Sequence, residues 1–431
     1  MPVLNGARKM KIAIPFVLIP GLALAAFQTI SAQETTRTNS YHRWWQDRPY
    51  VAQFSSETTN QLPRIRVEGN RLVGPDGNPV LFRGVSISDP DKIDHQGHWN
   101  KHHFEEVRAM GATLVRIPVH PVAWRERGER EYLKLLDQAV EWCAELGLYV
   151  DIDWHSIGNL QMELFQDPMY DTTPKETFQF WRTIAQHYHG NSTIAFYELF
   201  NEPTLFRGQL GSMSWSEWKK LNEDMIGLIR AYDTNTIPLV AGFDWAYDLT
   251  PLNLEPIQAE GIGYVTHPYA NKRSKPWAPK WEEDFGFAAG RYPVIATEIG
   301  FSVRKGTALK ADDYGPVIVN YLEGKGISWV AWCFDPEWGP TLLQSWNYDL
   351  TGSGEFFKAA MHKDAGKGNP QGWHRGSLAD RQVKPARIRV HPRLISFLKR
   401  SVSAGSIRSK DFWGFPTETA KAAASRHRPN W

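Results

Sequence analysis

The stretch Ala195-Phe-Tyr-Glu-Leu-Phe-Asn-Glu-Pro203 is a short apolar run that ends at a carboxylate, Glu202. A second run, Tyr292-Pro-Val-Ile-Ala-Thr-Glu-Ile-Gly-Phe-Ser302, places Glu298 in the same position. Short continuous apolar runs are typical of buried parallel strands, so each glutamate is predicted at the C-terminal tip of a strand. The glutamates are 96 positions apart, with two further strand-like runs between them. This layout predicts a parallel barrel, in which residues from several strand ends meet on one face.

Strand-like and helix-like segments alternate along most of the chain. Apolar residues recur every three or four positions in the predicted helices, for example at 131–145 and 215–232. Eight such βα units favour a closed (β/α)8 TIM barrel, an α/β fold, over an open sheet. The last helix is predicted at 354–361. The strands are predicted at 81–85, 114–119, 148–152, 195–200, 238–241, 262–266, 294–297 and 328–332.

Segments outside the barrel are predicted from composition. Alternating apolar residues at 65–73 and 78–82 flank Gly74-Pro-Asp-Gly77, which predicts an N-terminal β-hairpin. We therefore divide the chain into a signal peptide (1–32), a polar linker or wrap (33–62), a barrel domain (63–363) and a basic C-terminal extension (364–431).

The first 32 residues have the layout of a secretory signal. Arg8, Lys9 and Lys11 precede an apolar run at 12–27, and cleavage is predicted after Ala32. The run is shorter than the ~20 residues that a membrane span needs, so secretion with no stable span after cleavage is expected. The alternative is a retained N-terminal anchor.

Charge is unevenly distributed along the 431 residues. The net charge of +2 divides into +3 for 1–32, −11 for 33–363 and +10 for 364–431. An acidic body argues against nucleic acid as a partner. The basic extension is interpreted as a solvated tail, or alternatively as an element that contacts the acidic body or an anionic wall polymer.

The chain has two cysteines, Cys143 on a predicted helix and Cys333 at the end of the last strand. These elements are expected to lie far apart in a barrel, so two buried free thiols are predicted rather than a disulfide.

Polar residues follow the predicted strands at the same register. Taken singly, each has an ordinary explanation, such as a core ion pair for Arg116 or a buried imidazole for His155. Their joint occurrence is not required by the fold. The set comprises Arg116, Asp153-Trp154-His155, Asn201-Glu202-Pro203, His267-Pro268-Tyr269, Glu298 and Trp332.

This set resembles the cellulase family of glycoside hydrolases, family 5, whose members are retaining enzymes on (β/α)8 barrels. The resemblance runs over 64–361, and Asn201-Glu202-Pro203 and the lone Glu298 carry it. It implies a secreted retaining endo-β-1,4-glucanase that acts on a polysaccharide without a cofactor or a metal. Glu202 is the expected acid/base and Glu298 the expected nucleophile.

The remaining site residues have supporting roles in this interpretation. Arg116 and Tyr269 are expected to keep Glu298 charged and oriented, and Asn201 to bind the sugar 2-hydroxyl. His155 and His267 would bind hydroxyls or orient the glutamates, and Trp332 would form the floor under the reacting sugar.

Tryptophan is frequent, at 19 residues, and several lie in predicted strand-to-helix loops. Flat aromatic rings suit the apolar face of a pyranose, so we predict a row of sugar subsites, with about half of these residues in contact with sugar. The candidates are Trp124, Trp245, Trp277, Trp281 and Trp338.

One segment has the spacing of a metal site, Asp94-His-Gln-Gly-His98 followed by His102-His103. Asn100 is instead predicted to cap the helix that contains His102 and His103, with His95 and His98 on the cleft rim. No metal is therefore expected.

Alternatives of function share the same motifs. A β-mannanase or another β-glycanase would differ only in the loops around Trp124, Trp245 and 271–287. Net transglycosylation would use the same covalent intermediate. A non-catalytic carbohydrate-binding barrel is disfavoured because both glutamates and their supporting residues are present.

Overall fold

The computed structural model describes residues 61–204 and 210–363. The predicted signal peptide, nearly all of the polar linker and the basic extension lie outside these ranges. The described chain begins with a β-hairpin, β1 (Arg66–Glu68) and β2 (Arg71–Val73), which pair antiparallel. This hairpin turns at Gly69 and Asn70, and across the Gly74–Gly77 turn an isolated antiparallel bridge joins Val73 to Pro79. The predicted hairpin is confirmed.

Eight parallel strands close into a barrel, in the order β3-β4-β5-β8-β10-β11-β12-β13, with β13 pairing back to β3. All eight predicted strands are present, and the (β/α)8 prediction is confirmed. The largest shift in a boundary is two residues, which is usual for such assignments. The strands are β3 (Arg83–Ile87), β4 (Leu114–Val119), β5 (Tyr149–Trp154), β8 (Ile194–Glu198), β10 (Ile237–Ala241), β11 (Gly263–Val265), β12 (Val294–Ile299) and β13 (Ser328–Phe334).

The barrel interior changes character along its axis. Near the N-terminal ends of the strands it is apolar, with Phe82, Leu114 and Phe196 among the buried residues. Farther along the same strands, buried Arg116 and Glu198 replace the aliphatic side chains. Burying charged groups is costly unless they are paired, so this polar layer marks the functional end of the barrel.

The helices cover the barrel, and capping residues define their ends. A capping box between Ser214 and Glu217 begins α6, and Asn100 caps α2 through the His103 backbone amide, as predicted. The helix predicted at 131–145 is α4, which ends at the left-handed Gly147. The helices are α1 (Pro90–His95), α2 (Lys101–Ala109), α3 (Pro121–Arg127), α4 (Glu129–Leu146), α5 (Pro174–His187), α6 (Trp215–Arg230), α7 (Phe243–Ala246), α8 (Trp277–Asp284), α9 (Tyr314–Gly324) and α10 (Gly352–His362).

A small sheet on the loops supports the Glu202 segment. It consists of β6 (Ile157–Asn159), β7 (Leu164–Phe165) and β9 (Glu202–Pro203), and β9 pairs parallel with β6. The sequence did not predict this sheet, because strands of two or three residues have no detectable periodicity. Its effect is to fix the backbone of Glu202 against the loop that follows β5.

Cys143 and Cys333 are both buried free thiols, as predicted. Among the helices of 61–204 and 210–363, none combines the length and apolarity that crossing a membrane requires.

Candidate active site

Arg116 is the centre of a buried network at the C-terminal ends of the strands. Its side chain is fully buried. Nη1 donates to Glu298 Oε1 at 2.8 Å, while Nε and Nη2 donate to the two oxygens of Glu198 at 2.8 and 2.9 Å. Nη2 also lies 2.6 Å from Asn201 Oδ1 and 2.9 Å from Asp153 Oδ2. Burial alone would lower the Arg116 pKa, but the surrounding carboxylates raise it well above its usual value.

Glu298 is held on both of its carboxylate oxygens. Arg116 contacts Oε1, and the Tyr269 hydroxyl donates to Oε2 at 2.8 Å. Burial raises the pKa of Glu298, while His267 and Arg116 partly offset this rise. Two directed donors therefore fix the orientation of the carboxylate.

Glu202 is paired with His267. The side chain of Glu202 is 12% exposed, and His267 Nδ1 lies 2.9 Å from its Oε1. His267 Nε2 contacts Thr297 Oγ1 at 3.0 Å, and that hydroxyl donates to Glu198 Oε1 at 3.2 Å. Burial lowers the pKa of His267, but the attraction of Glu298 and the bonds to Glu198 and Glu202 outweigh it and raise the pKa to about 9. A protonated imidazole therefore donates from both nitrogens.

The two glutamates face each other across His267. One oxygen of Glu202, one oxygen of Glu298 and one ring nitrogen of His267 all lie within 4.8 Å of one another. Retaining glycosidases separate their two carboxyl groups by about 5–5.5 Å, and inverting enzymes by more. The spacing fits the retaining class.

Within residues 61–204 and 210–363, the side chains whose ligand atoms have the spacing of a metal site are those of Glu202, His267 and Glu298. The histidine-rich segment forms other contacts instead. Asp94 pairs with Arg127, His98 stacks on Trp346 at 4.5 Å, and His103 is buried.

Trp332 and His155 form one wall of the site. Their rings are parallel, with centroids 5.4 Å apart and planes 7° apart. His155 Nδ1 lies 2.6 Å from Asp153 Oδ2, and burial, with His120 and Arg116 nearby, lowers the His155 pKa well below its usual value. His155 is thus a neutral imidazole that donates to Asp153.

The cellulase family model, glycosyl hydrolase family 5, matches residues 73–337. The chain belongs to this family. That membership confirms the predicted resemblance and identifies the barrel as that of a glycoside hydrolase.

Similar proteins agree with the family 5 assignment. The native β-glucanase of Saccharophagus degradans is 45% identical, with 74% of this chain and 98% of that one aligned and a TM-score of 0.69. Its complex with cellotetraose gives 44% identity, 74% and 99% coverage and the same TM-score. Endoglucanase E-5 of Thermobifida fusca is 24% identical over 288 residues, 64% of this chain and 56% of the relative. The family 5 chain spans about half the length of such curated relatives.

Two of the predicted sugar-stacking tryptophans of this family 5 chain are corrected by the structure. Trp281 is fully buried against Trp277 and Tyr321, and Trp124 is 6% exposed, packed edge-on against Phe180. Both lie on helices after strands, α8 and α3, where the apolar face of the helix packs inward. The sequence position of these tryptophans, after a strand, did not show whether each side chain packs on the inward face of its helix or lies in the cleft.

The other three predicted tryptophans are half-buried. Trp338 lies beside Trp332, with centroids 6.4 Å apart and planes at 15°. Trp245 donates to Gln166 Oε1 at 2.7 Å, and Lys272 Nζ lies 4.8 Å from the centre of its ring. Trp277 stacks parallel on Trp281.

Several residues of the family 5 site escaped the sequence prediction. Glu198 binds Arg116, and His120 lies 4.6 Å from the His155 ring while its Nδ1 lies 3.0 Å from Asp89 Oδ2. The sequence contained a signal for both residues. Glu198 is an acid within an apolar strand, and His120 follows β4 as His155 follows β5.

Proposed function

We propose that this protein is a retaining endo-β-1,4-glucanase with Glu298 as nucleophile and Glu202 as acid/base. The observation that carries the proposal is the pair of glutamates on either side of His267, with oxygens within 4.8 Å, in a family 5 barrel. Double displacement needs two carboxyl groups at this spacing and no further reagent except water.

In the first step, Glu298 attacks the anomeric carbon while Glu202 protonates the departing glycosidic oxygen. The bond from the sugar to that oxygen breaks as the bond to a Glu298 oxygen forms, which gives a glycosyl ester. Arg116 and Tyr269 hold Glu298 ionised and aimed. In the second step Glu202 removes a proton from water, which attacks the anomeric carbon and releases Glu298.

His267 supplies a partner for Glu202 in both steps. The Nδ1–H of His267 donates to Glu202 Oε1, so the imidazole can pass a proton to the carboxyl in the first step and take it back in the second. Because Thr297 and Glu198 hold the other ring nitrogen, the orientation of the imidazole stays fixed.

Asn201 and Trp332 are suited to binding the reacting sugar. Asn201 Oδ1 accepts from Arg116, whereas its buried Nδ2 has no partner within the described residues. An unpaired buried donor is costly, and a sugar 2-hydroxyl would satisfy it. Trp332 offers an indole face as the floor.

Glucan is the proposed substrate because the similar β-glucanase of Saccharophagus degradans was solved with cellotetraose. Trp338 beside Trp332, and Trp245 near the loop that carries Gln166, support extended binding of a glycan chain. We also propose export through the N-terminal signal, on the basis of its sequence pattern.

Reducing-sugar release by the mature protein tests the substrate. Carboxymethyl-cellulose, mixed-linkage β-glucan, glucomannan and pure mannan would be compared, with Glu298→Gln as the inactive control. Activity on the first two and none on pure mannan is expected. Activity on pure mannan alone would replace glucan by mannan as the proposed substrate. The absence of activity on all four substrates would contradict the proposal.

A further inference from the structure

Asp151 is a buried acid that the proposed chemistry does not use. It lies on β5, two residues before Asp153, so both side chains point into the barrel. It is paired in register with Arg116 on β4 and Phe196 on β8. Its side chain is fully buried, and neither carboxyl oxygen has a partner with good hydrogen-bond geometry in the described part of the chain. The carboxyl and the backbone amide of Glu198 face it.

The donors that could neutralise Asp151 are already engaged. Nε and Nη2 of Arg116 bind Glu198, Nη1 binds Glu298, and Nη2 also contacts Asp153. An ionised Asp151 would thus be a buried charge without a side-chain donor in the described part of the chain, which is strongly unfavourable.

The charges of the neighbouring groups also favour a neutral Asp151. Two cations, Arg116 from β4 and His267 after β11, face the interior. Four carboxylates are already bound to this pair, and a fifth anion would enlarge an excess of negative charge. Two carboxyls in contact relieve such repulsion by sharing one proton. The groups that face Asp151 or its partners are Asp153 from β5, His155 directly after β5, Glu198 from β8, Glu202 from β9 and Glu298 from β12.

We propose that Asp151 is a protonated carboxylic acid that donates a hydrogen bond to Glu198, and is thereby a positioning residue for Arg116. The proton belongs to Asp151 and not to Asp153, because Asp153 Oδ2 has two donors, Arg116 at 2.9 Å and His155 at 2.6 Å. Burial raises the pKa of both acids well above the usual value; for Asp153 the largest opposing effect is the charge of Arg116, whereas for Asp151 the charge of Glu198 adds to the rise.

This acid would hold Glu198 in place without adding charge. Glu198 then remains the ionised partner of Arg116, and Arg116 keeps Nη1 free for Glu298. The link from Asp151 to catalysis therefore runs through Glu198 and Arg116. Its catalytic consequence rests on the proposed function, whereas the protonation state does not.

Infrared spectroscopy of the full chain tests the proton directly. The parent at pH 7 should show a protonated-carboxyl stretch that shifts when aspartate is labelled with ¹³C, and Asp151→Asn should remove it. Asp153→Asn is the matched control from the same strand and should leave the band in place. A parent without this band would overturn the proposal, even if the variants fail to fold.

Kinetics supply the second readout. Asp151→Ala removes the donor and should lower kcat on β-glucan at least about tenfold with KM nearly unchanged, whereas Asp151→Asn, whose amide can donate from the same place, should recover most of that loss. A loss of more than about 100-fold in a folded Asp151→Asn variant would mean that the ionised form is needed, and would overturn the assignment. An inactive parent would contradict the proposed function alone, because the band needs no substrate.

Discussion

His267 Nδ1 lies 2.9 Å from Glu202 Oε1, and the same nitrogen lies 3.8 Å from Glu298 Oε2. One imidazole therefore lies close to both glutamates of the proposed mechanism. Because its pKa is raised to about 9, His267 loses its proton only well above neutral pH.

The alkaline limb of kcat/KM should consequently lie near pH 9 in the parent. His267→Asn removes the titrating imidazole, so it should remove this limb, and it should lower kcat by about 10²-fold. The full pH profile on a soluble glucan measures both effects. An unmoved limb in a folded variant would show that a group other than His267 titrates there.

The acid limb should report Glu298. Burial raises the pKa of this carboxyl, so the limb is expected above the ordinary glutamate value of about 4.3. Below its pKa Glu298 is protonated and cannot attack, so activity falls as the pH falls. Arg116→Lys removes part of the opposing charge contact and should shift the limb further upward. A limb at or below the ordinary value would contradict the effect of burial.

Chemical rescue separates the roles of the two glutamates. Glu298→Gly should lower turnover at least about 10⁴-fold, and added azide should restore it with formation of an inverted glycosyl azide, because azide then replaces the nucleophile. Glu202→Ala should instead yield a retained glycosyl azide from a substrate with a good leaving group. Product stereochemistry by proton NMR decides the assignment, and exchanged outcomes would exchange the roles.

The sequence predicted the barrel because its signals are local. Each strand is a short apolar run, and each predicted polar residue follows such a run, so register alone brings Arg116, Glu202 and Glu298 together. Contacts that depend on side-chain direction were not predictable. The burial of Trp281 is set by which face of α8 packs inward, and the role of Glu198 by which side of β8 faces Arg116.

Glu198→Gln tests that missed contact. The amide presents one oxygen instead of two and lacks charge, so Arg116 loses its bidentate partner. We expect a fall in kcat of about 10–100-fold with a nearly unchanged KM, because the substitution disturbs the orientation of Glu298 more than it disturbs sugar binding. Steady-state kinetics on cello-oligosaccharides measure the two parameters. A change confined to KM would argue against a positioning role.

The tryptophan assignments predict opposite phenotypes for two substitutions. Trp281→Ala removes a fully buried ring and should lower the free energy of unfolding by about 3–5 kcal/mol. Trp338→Ala alters a half-buried ring beside Trp332 and should leave the unfolding midpoint nearly unchanged while raising KM for long oligosaccharides about tenfold, equivalent to ~1.4 kcal/mol of binding. Thermal unfolding and kinetics on both variants check this. Should Trp338→Ala leave KM unchanged at every chain length, Trp338 would not be a sugar platform.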